Sequence, residues 1–378
     1  MTDYYLVMYK REIKSFVAFH MLNFNNKKQN SKALFLIFVT IFVIIINGCA
    51  SQKEQISKFN WVKYSGNPII YEGKKGEWNQ MMGDPFVMRD EGMYKMWFGA
   101  NMPIDEKKSL TQVGYAESKD GIKWDIHPEP VLSVGAKETY DATVVETPTV
   151  VKDETGYHMW YSSVNKFGGD GDEGIYRIGH ATSNNGINWT KDKNNPVIKA
   201  GDLTKGEWNS WASVDPTVIK EDGIFKMWFI GITYNPPNYE TMSYGIGYAT
   251  SADGSNWELY SNNPVLEVYN GPYENKVINS AFFVLNNEKY YELWYFGGNA
   301  LDIYATSSNG IKWQKHEGTF LPKGPAGSWD SWVVSSPTVL LNGSKYKMWY
   351  SGAKIDENYT MHFGIGYATN NIANELIN

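Results

Sequence analysis

Apolar and polar residues alternate in short runs that recur down the chain. Tyr94, Met96 and Phe98 share one side of an extended segment, with Lys95 and Trp97 on the other, and Tyr346, Met348 and Tyr350 stand in the same way against Lys347 and Trp349. A period of two is that of a β-strand. This stretch, YKMWFG in its first copy, recurs at 94–99, 157–162, 225–231, 290–297 and 346–352. A second stretch, GYAESKDGIKW in its first copy, recurs at 114–124, 179–189, 247–257 and 302–313, and in shortened form at 366–370. The fifth copy stops before its Trp. The missing piece stands at the front, where residues 59–69 align without gaps on 255–265, Trp61 on Trp257 and Asn67-Pro68 on Asn263-Pro264. A first strand that completes the last repeat closes a ring, so the repeats predict an all-β fold, a five-bladed β-propeller of four-stranded antiparallel blades.

The turns fit this reading. Asp120-Gly121, Asn185-Gly186, Asp253-Gly254 and Asn309-Gly310 stand between the predicted third and fourth strands. Asp-Gly and Asn-Gly favour type I′ hairpins, in which both central residues need positive φ. Three residues on, Trp124, Trp189, Trp257 and Trp313 start the outer strand. The core Trp positions 97, 160, 228, 294 and 349 lie 63, 68, 66 and 55 residues apart, longer than a WD-type blade. The surplus is expected in loops 101–112, 165–176 and 233–243, rich in Gly, Asp, Pro and Tyr, which could shape a binding face.

Composition narrows the function. The chain has 378 residues, a net charge of −6 and 15% aromatics. Mild acidity argues against a nucleic-acid partner, which usually demands a basic stripe. Aromatics suit blade packing and also suit sugar faces. Lys27, Lys28 and Lys32 precede an apolar run at 33–46, followed by Asn47-Gly48-Cys49-Ala50. The run is short for a membrane span and right for a signal-peptide core. Its end is similar to a bacterial lipobox, with Asn47 an imperfect fit. Cys49 is the only cysteine, so an internal disulfide is excluded and lipidation of its thiol is expected. Met21 would start a signal of ordinary length. The expected organisation is an extension and signal at 1–49, a polar tether at 50–58, the propeller at 59–372 and a tail at 373–378. The protein is then a monomer, lipid-anchored to the cell or outer membrane, with its domain outside the cytoplasm.

Candidate chemistry lies on the innermost strands, which line the channel of a propeller. Aligned on proline, these read Gly83-Asp84-Pro85, Glu146-Thr147-Pro148, Val214-Asp215-Pro216, Asn279-Ser280-Ala281 and Ser335-Ser336-Pro337. The scaffold repeats while the polar residues change, and Asp84, Glu146 and Asp215 are the acidic ones. This pattern resembles the five-bladed glycoside hydrolases of families 43, 32, 62 and 68, the arabinanase, xylosidase, invertase and levansucrase group. The resemblance covers residues 59–370. It implies glycoside hydrolysis, with Asp84 as nucleophile or base, Glu146 as general acid and Asp215 as the carboxylate that orients substrate and tunes the acid. The order along the blades, Asp, Glu, Asp, departs from the usual Asp, Asp, Glu of those families. Three acids around a narrow channel are expected to raise one another's pKa values, which keeps one protonated near neutral pH.

Further candidates are weaker. Trp211 and Trp332, shortly before their blade prolines, are candidate sugar platforms; Asn279 and Ser336 are candidate polar contacts. His180 replaces the Tyr of Gly-Tyr-Ala and could reach the channel or pack as a buried histidine. Asp141 aligns with Asn79, Asn209 and Asp330 and reads as a rim residue. Asp170, Asp172 and Glu173 form an acidic loop that could hold calcium. No cofactor is required by this reading, though a structural cation in the channel is compatible with it. Two rival functions remain at this level: a glycosyl-transferring or phosphorylase relative, which would need a basic pocket, and a surface glycan-binding protein without turnover.

Overall fold

The computed structural model describes residues 61–104, 109–166, 174–233, 243–267, 282–297, 301–343 and 345–371. The apolar run at 33–46, Cys49, the tether, the acidic loop and Asn279 lie outside these. Within the unit Asn60–Asn378 the chain folds as five antiparallel meanders. Blade one is Met81–Asp90, Met93–Pro103, Ser109–Ser118 and Asp125–Ile126. Blade two is Val144–Asp153, Gly156–Val164, Arg177–Ser183 and Thr190–Lys191. Blade three is Ala212–Glu221, Ile224–Thr233 and Ser243–Ser251, with the short outer strands Glu258–Leu259 and Leu266–Glu267. Blade four runs from Phe283–Asn286 through Tyr291–Phe296 and Leu301–Ser307 to Gln314–Leu321.

Blade five takes three strands from the end of the chain, Val333–Asn342, Lys345–Ile355 and Met361–Asn371. Its outer strands, Val62–Lys63 and Ile70–Tyr71, come from the front and pair antiparallel with Met361–Asn371. The same side chains secure this seam and the ordinary blades. Asn195 and Asn263 turn their amides onto the backbone N–H and C=O of His180 and Tyr248. Asn67 does so to Tyr367, across the termini. The loop expected at 101–112 is largely strand, because the Met93–Pro103 and Ser109–Ser118 hairpin continues its ladder to Pro103↔Ser109.

Both faces of each second strand are buried, since a blade packs on a neighbour at either side. Trp97, Trp160, Trp228, Trp294 and Trp349 are the largest buried side chains. Each lies against the first aromatic of the next blade's second strand: Tyr157, Phe225, Tyr291, Tyr346 and Tyr94, at 5.2–6.1 Å between centroids. Four of these indoles also donate to a turn glycine of the next blade. Trp97 reaches Gly186 O at 2.8 Å, Trp160 Gly254 O at 2.8 Å, Trp228 Gly310 O at 2.7 Å and Trp349 Gly121 O at 2.8 Å. Each of those carbonyls accepts a second indole from its own blade's outer Trp, at 2.9–3.2 Å.

These turns are not type I′. Only the glycines have positive φ, from +73° to +81°, while Asp120, Asn185, Asp253 and Asn309 do not. Instead the Asp or Asn oxygen accepts the two N–H groups that follow its glycine, as Asp120 Oδ1 does from Ile122 and Lys123, which is an Asx-type closure. The glycine is required twice over. Its φ excludes most residues, and a Cβ would stand 2.6–2.9 Å from the neighbouring indole.

Among the described residues blade five has no such turn, because its third and outer strands come from opposite ends of the chain. The indoles in the matching places, Trp61 and Trp294, are buried with no hydrogen-bond partner among the described residues, as is Asn370 Nδ2. Removing an orphan N–H costs less than removing a satisfied one. Trp294→Phe is therefore expected to destabilise the propeller by about 1–2 kcal/mol less than Trp228→Phe, measured by paired denaturant unfolding. Equal losses would show that the indole bonds do not hold the blades.

Candidate active site

The inner strands share one irregularity. In blade one the register steps from Gly83↔Gly99 to Phe86↔Trp97, so Asp84 and Pro85 together oppose Phe98 alone. The same two-against-one bulge holds Thr147 and Pro148, Asp215 and Pro216, and Ser336 and Pro337. Proline is tolerated there because a bulge needs no ladder N–H from it. The residue before it is left-handed in every case: φ is 51° at Asp84, 49° at Thr147, 54° at Asp215 and 48° at Ser336. Such φ values are costly for non-glycine residues, and bulges next to active sites re-aim side chains.

This register agrees with the alignment on proline. Asp84, Thr147, Asp215 and Ser336 are structural equivalents, and Glu146 is not among them. It sits one residue earlier and pairs with Ser162. Blade two thus supplies its carboxylate from the position occupied by Gly83, Val214 and Ser335 in the other blades.

The three acids nonetheless converge. A Cβ placed on Gly99 would meet Asp84 Oδ2 at 3.5 Å and Glu146 Cβ at 3.8 Å, so both flank the same point on blade one. Glu146 and Asp215 are buried, 1% and 0% exposed, while Asp84 keeps part of its surface open and lines the central cavity. Burial pushes the Asp84 carboxyl up, and the Ser336 hydroxyl, donating to Oδ1 at 2.5 Å, pulls it back. Burial raises Asp215 well above the carboxylate range, and the nearby charges of Asp84 and Glu146 raise it further; the Thr147 hydroxyl opposes them. Asp215 Oδ2 has no hydrogen-bond partner. A buried unpaired oxygen is tolerable on a neutral carboxyl and costly on an ionised one. A partly open carboxyl therefore stands beside a buried one whose surroundings favour the protonated form.

The central cavity lies over this ring. Its lining is Asp84, Thr147 and Ser336 together with prolines, threonines and Phe86, Phe282 and Phe283. Phe86 and Phe283 close on each other at 6.2 Å across the channel. Sequence reading found Ser336 but missed Thr147. Its signal was present in the alignment, at the same place before proline as Asp84.

Other candidates fall elsewhere. His180 is buried between blades two and three, stacked on Trp160 at 5.1 Å and His158 at 5.4 Å, and bonded to Asp192 at 3.1 Å. It packs because blade two exchanges three residues at once: His158 for Lys, His180 for Tyr, and its neighbour Phe225 for Tyr. Burial takes His180 down to about 4, so it is neutral at ordinary pH. Asp141 is 1% exposed and holds a turn, taking an ion pair from Lys191 and a bond from Thr139 at 2.8 Å. Asp330 pairs with Lys63 at 2.5 Å in the equivalent place. Neither His180 nor Asp141 lines the cavity. Trp211 and Trp332 are half-buried at equivalent entries to their inner strands, their backbone N–H groups bonded to Ile232 O and Ala353 O at 2.9 Å. Among the described residues no three His, Cys, Asp or Glu side chains group as a metal site.

Several proteins similar to this chain in sequence or fold are named as glycoside hydrolases or mannoside phosphorylases. The glycosyl hydrolases family 32 N-terminal domain matches residues 79–264. A 1,2-beta-oligomannan phosphorylase of Thermoanaerobacter sp. (strain X514) is 28% identical over 133 residues, 34% of this chain and 43% of that protein. The chain spans less than half the length of the curated relatives it matches. A family 117 glycoside hydrolase of the marine bacterium Zobellia galactanivorans has a TM-score of 0.60 at 16% identity, covering 85% of this chain and 92% of the other. So does, at 0.59 and 16% over 82% and 94%, a structure from work on the GH130 family of mannoside phosphorylases, which contains glycoside hydrolases that target beta-1,2 mannosidic linkages in Candida mannan.

The Ser336 contact carries a pH prediction. A donated hydrogen bond favours the ionised carboxylate, so Ser336→Ala raises the pKa of Asp84. The acid limb of the pH–activity profile is expected to move to higher pH, with the alkaline limb in place. A shift to lower pH, or none, would remove Asp84 from that limb.

Proposed function

We propose that this chain, a propeller of the glycoside hydrolase superfamily, breaks glycosidic bonds by carboxylate acid–base chemistry. The observation that carries this is the convergence of Asp84, Glu146 and Asp215 on one side of the ring, with one acid partly open and the other two buried. Such cleavage needs a proton delivered to the leaving oxygen and an ionised carboxylate on the other side of the sugar. Asp84, the acid that lines the cavity, acts as base toward water or as nucleophile toward the anomeric carbon. Glu146 gives its proton to the leaving oxygen. Asp215, buried behind them, orients the pair and holds a proton that lessens repulsion among the three.

The names of the relatives favour a β-mannoside as substrate, with a β-1,2 linkage the first to try. Water is favoured over phosphate as acceptor, since the described residues lining the cavity include no Lys or Arg. Phosphorolysis is the second reading, supported by the oligomannan phosphorylase. The signal-like run at 33–46 and Cys49 support a lipid-anchored enzyme working outside the cytoplasm.

The test is a panel of mannosyl, arabinofuranosyl, xylosyl and fructosyl oligosaccharides, with and without phosphate, on protein starting at Ser51. Free sugar release that ignores phosphate is the expected outcome, and sugar 1-phosphate would establish the second reading. Asp84→Asn and Glu146→Gln are each expected to lower turnover by about 10²–10⁴-fold while binding persists. Binding without turnover in the wild type, unchanged by either substitution, would leave a glycan-binding propeller.

A further inference from the structure

The two left-handed aspartates are held in the same way, by the blade before them. Asp84 N–H donates to Ser351 Oγ at 2.7 Å, and Asp215 N–H donates to Ser162 Oγ at 2.7 Å. Ser351 and Ser162 occupy one position on their second strands, register-paired with Ser335 and Glu146. Gly99 and Ile230 occupy it in blades one and three, paired with Gly83 and Val214. Those two blades precede Thr147 and, in the sequence alignment, Ser280, where no aspartate stands. Gly99 instead leaves open the point that Asp84 and Glu146 flank.

A second hydroxyl acts beside each serine. Ser336, the left-handed residue of blade five, donates to Asp84 Oδ1. Thr147, the left-handed residue of blade two, lies 2.6 Å from Ser162 Oγ, which lies 3.4 Å from Asp215 Oδ1. Both serines are buried, 5% and 0% exposed, and a serine there has no packing advantage over alanine. A non-glycine residue at φ near 50° costs about 1–3 kcal/mol, and a buried N–H without an acceptor costs about as much again. The serine hydroxyl removes the second cost at Asp84 and Asp215, two of the four bulge residues where the first is incurred.

We infer that Ser351 and Ser162 are positioning residues, each fixing the bulged carboxylate of the following blade in its working orientation. Both act through an aspartate and touch no substrate. The inference rests on the glycosidase reading for its catalytic consequence, and on geometry alone for its effect on the aspartates.

The experiment uses Ser351→Ala and Ser162→Ala, with Ser163→Ala as control; Ser163 is a neighbouring buried hydroxyl bonded to Arg177 O. Carboxyl ¹³C NMR titration of aspartate-labelled protein needs no substrate. Loss of Ser351 is expected to raise the titration of Asp84, and loss of Ser162 that of Asp215, while the control leaves both in place. On a turned-over glycan, Ser351→Ala is expected to lower kcat about 10–100-fold with KM changed less than threefold, and to move the acid limb upward. If an alanine variant does not fold, the near-isosteric Ser→Cys, a weaker acceptor, takes its place. Unmoved titrations in folded variants would overturn the inference. A wild type that turns over no glycan, with titrations that move as expected, would overturn the glycosidase reading and leave the positioning role standing.

Discussion

A single backbone carbonyl, repeated four times, sets how the blades meet. Each turn glycine accepts the indole of its own outer Trp and that of the preceding blade's core Trp. The two rings meet edge to face, as Trp97 and Trp189 do at 6.3 Å. A Trp buries more surface than any other residue and has one donor to satisfy. Placing its acceptor on the neighbouring blade makes burial and inter-blade spacing one condition. The glycine fits the ring because it has no Cβ, and reaches its φ for the same reason. At the seam between the first and last strands, among the described residues, both indoles go unpaired. There the ring relies instead on Asn67, the short N-terminal strands and the Lys63–Asp330 ion pair.

With the blades fixed in this way, the centre becomes a place where small differences matter. The four proline bulges turn one side chain per blade to the left-handed conformation, and the repeat is then free to vary at that position: Asp84, Thr147, Asp215, Ser336. Blade two uses its bulge for a hydroxyl and takes its acid from one residue earlier. That keeps three carboxylates close without setting three at equivalent points of the ring, where their repulsion would be shared evenly. The uneven arrangement separates their environments, one partly open and two buried, and separation of environments is what divides acid and base roles between like groups.

Much of this was legible along the chain. The period of two, the recurring Trp and Gly and the displaced fifth copy report the blades, because each blade repeats one local solution to burying both faces of a sheet. Asp84 and Asp215 were legible from the proline after them. His180 was not, because its meaning depends on His158 and Phe225, which only packing brings beside it. Asp141 was legible as a rim residue, but its partner Lys191 lies on another strand. The Asp-Gly turns carried the hairpin signal, yet folded as Asx closures because the glycine carbonyl has to face two indoles.

The amino-acid sequence by itself determined the number of repeats, the closure of the ring by its first strands and the three acids that the fold brings together. These follow from periodicity and from residue types whose constraints are local: the strand's alternation, glycine's φ and proline's missing N–H. Only the tertiary structure decided that Thr147 joins Asp84 and Ser336 in lining the cavity, and that Ser162 and Ser351 hold the aspartates. Those facts depend on bulge geometry and on contacts between neighbouring blades, where residues distant in the chain share one small volume.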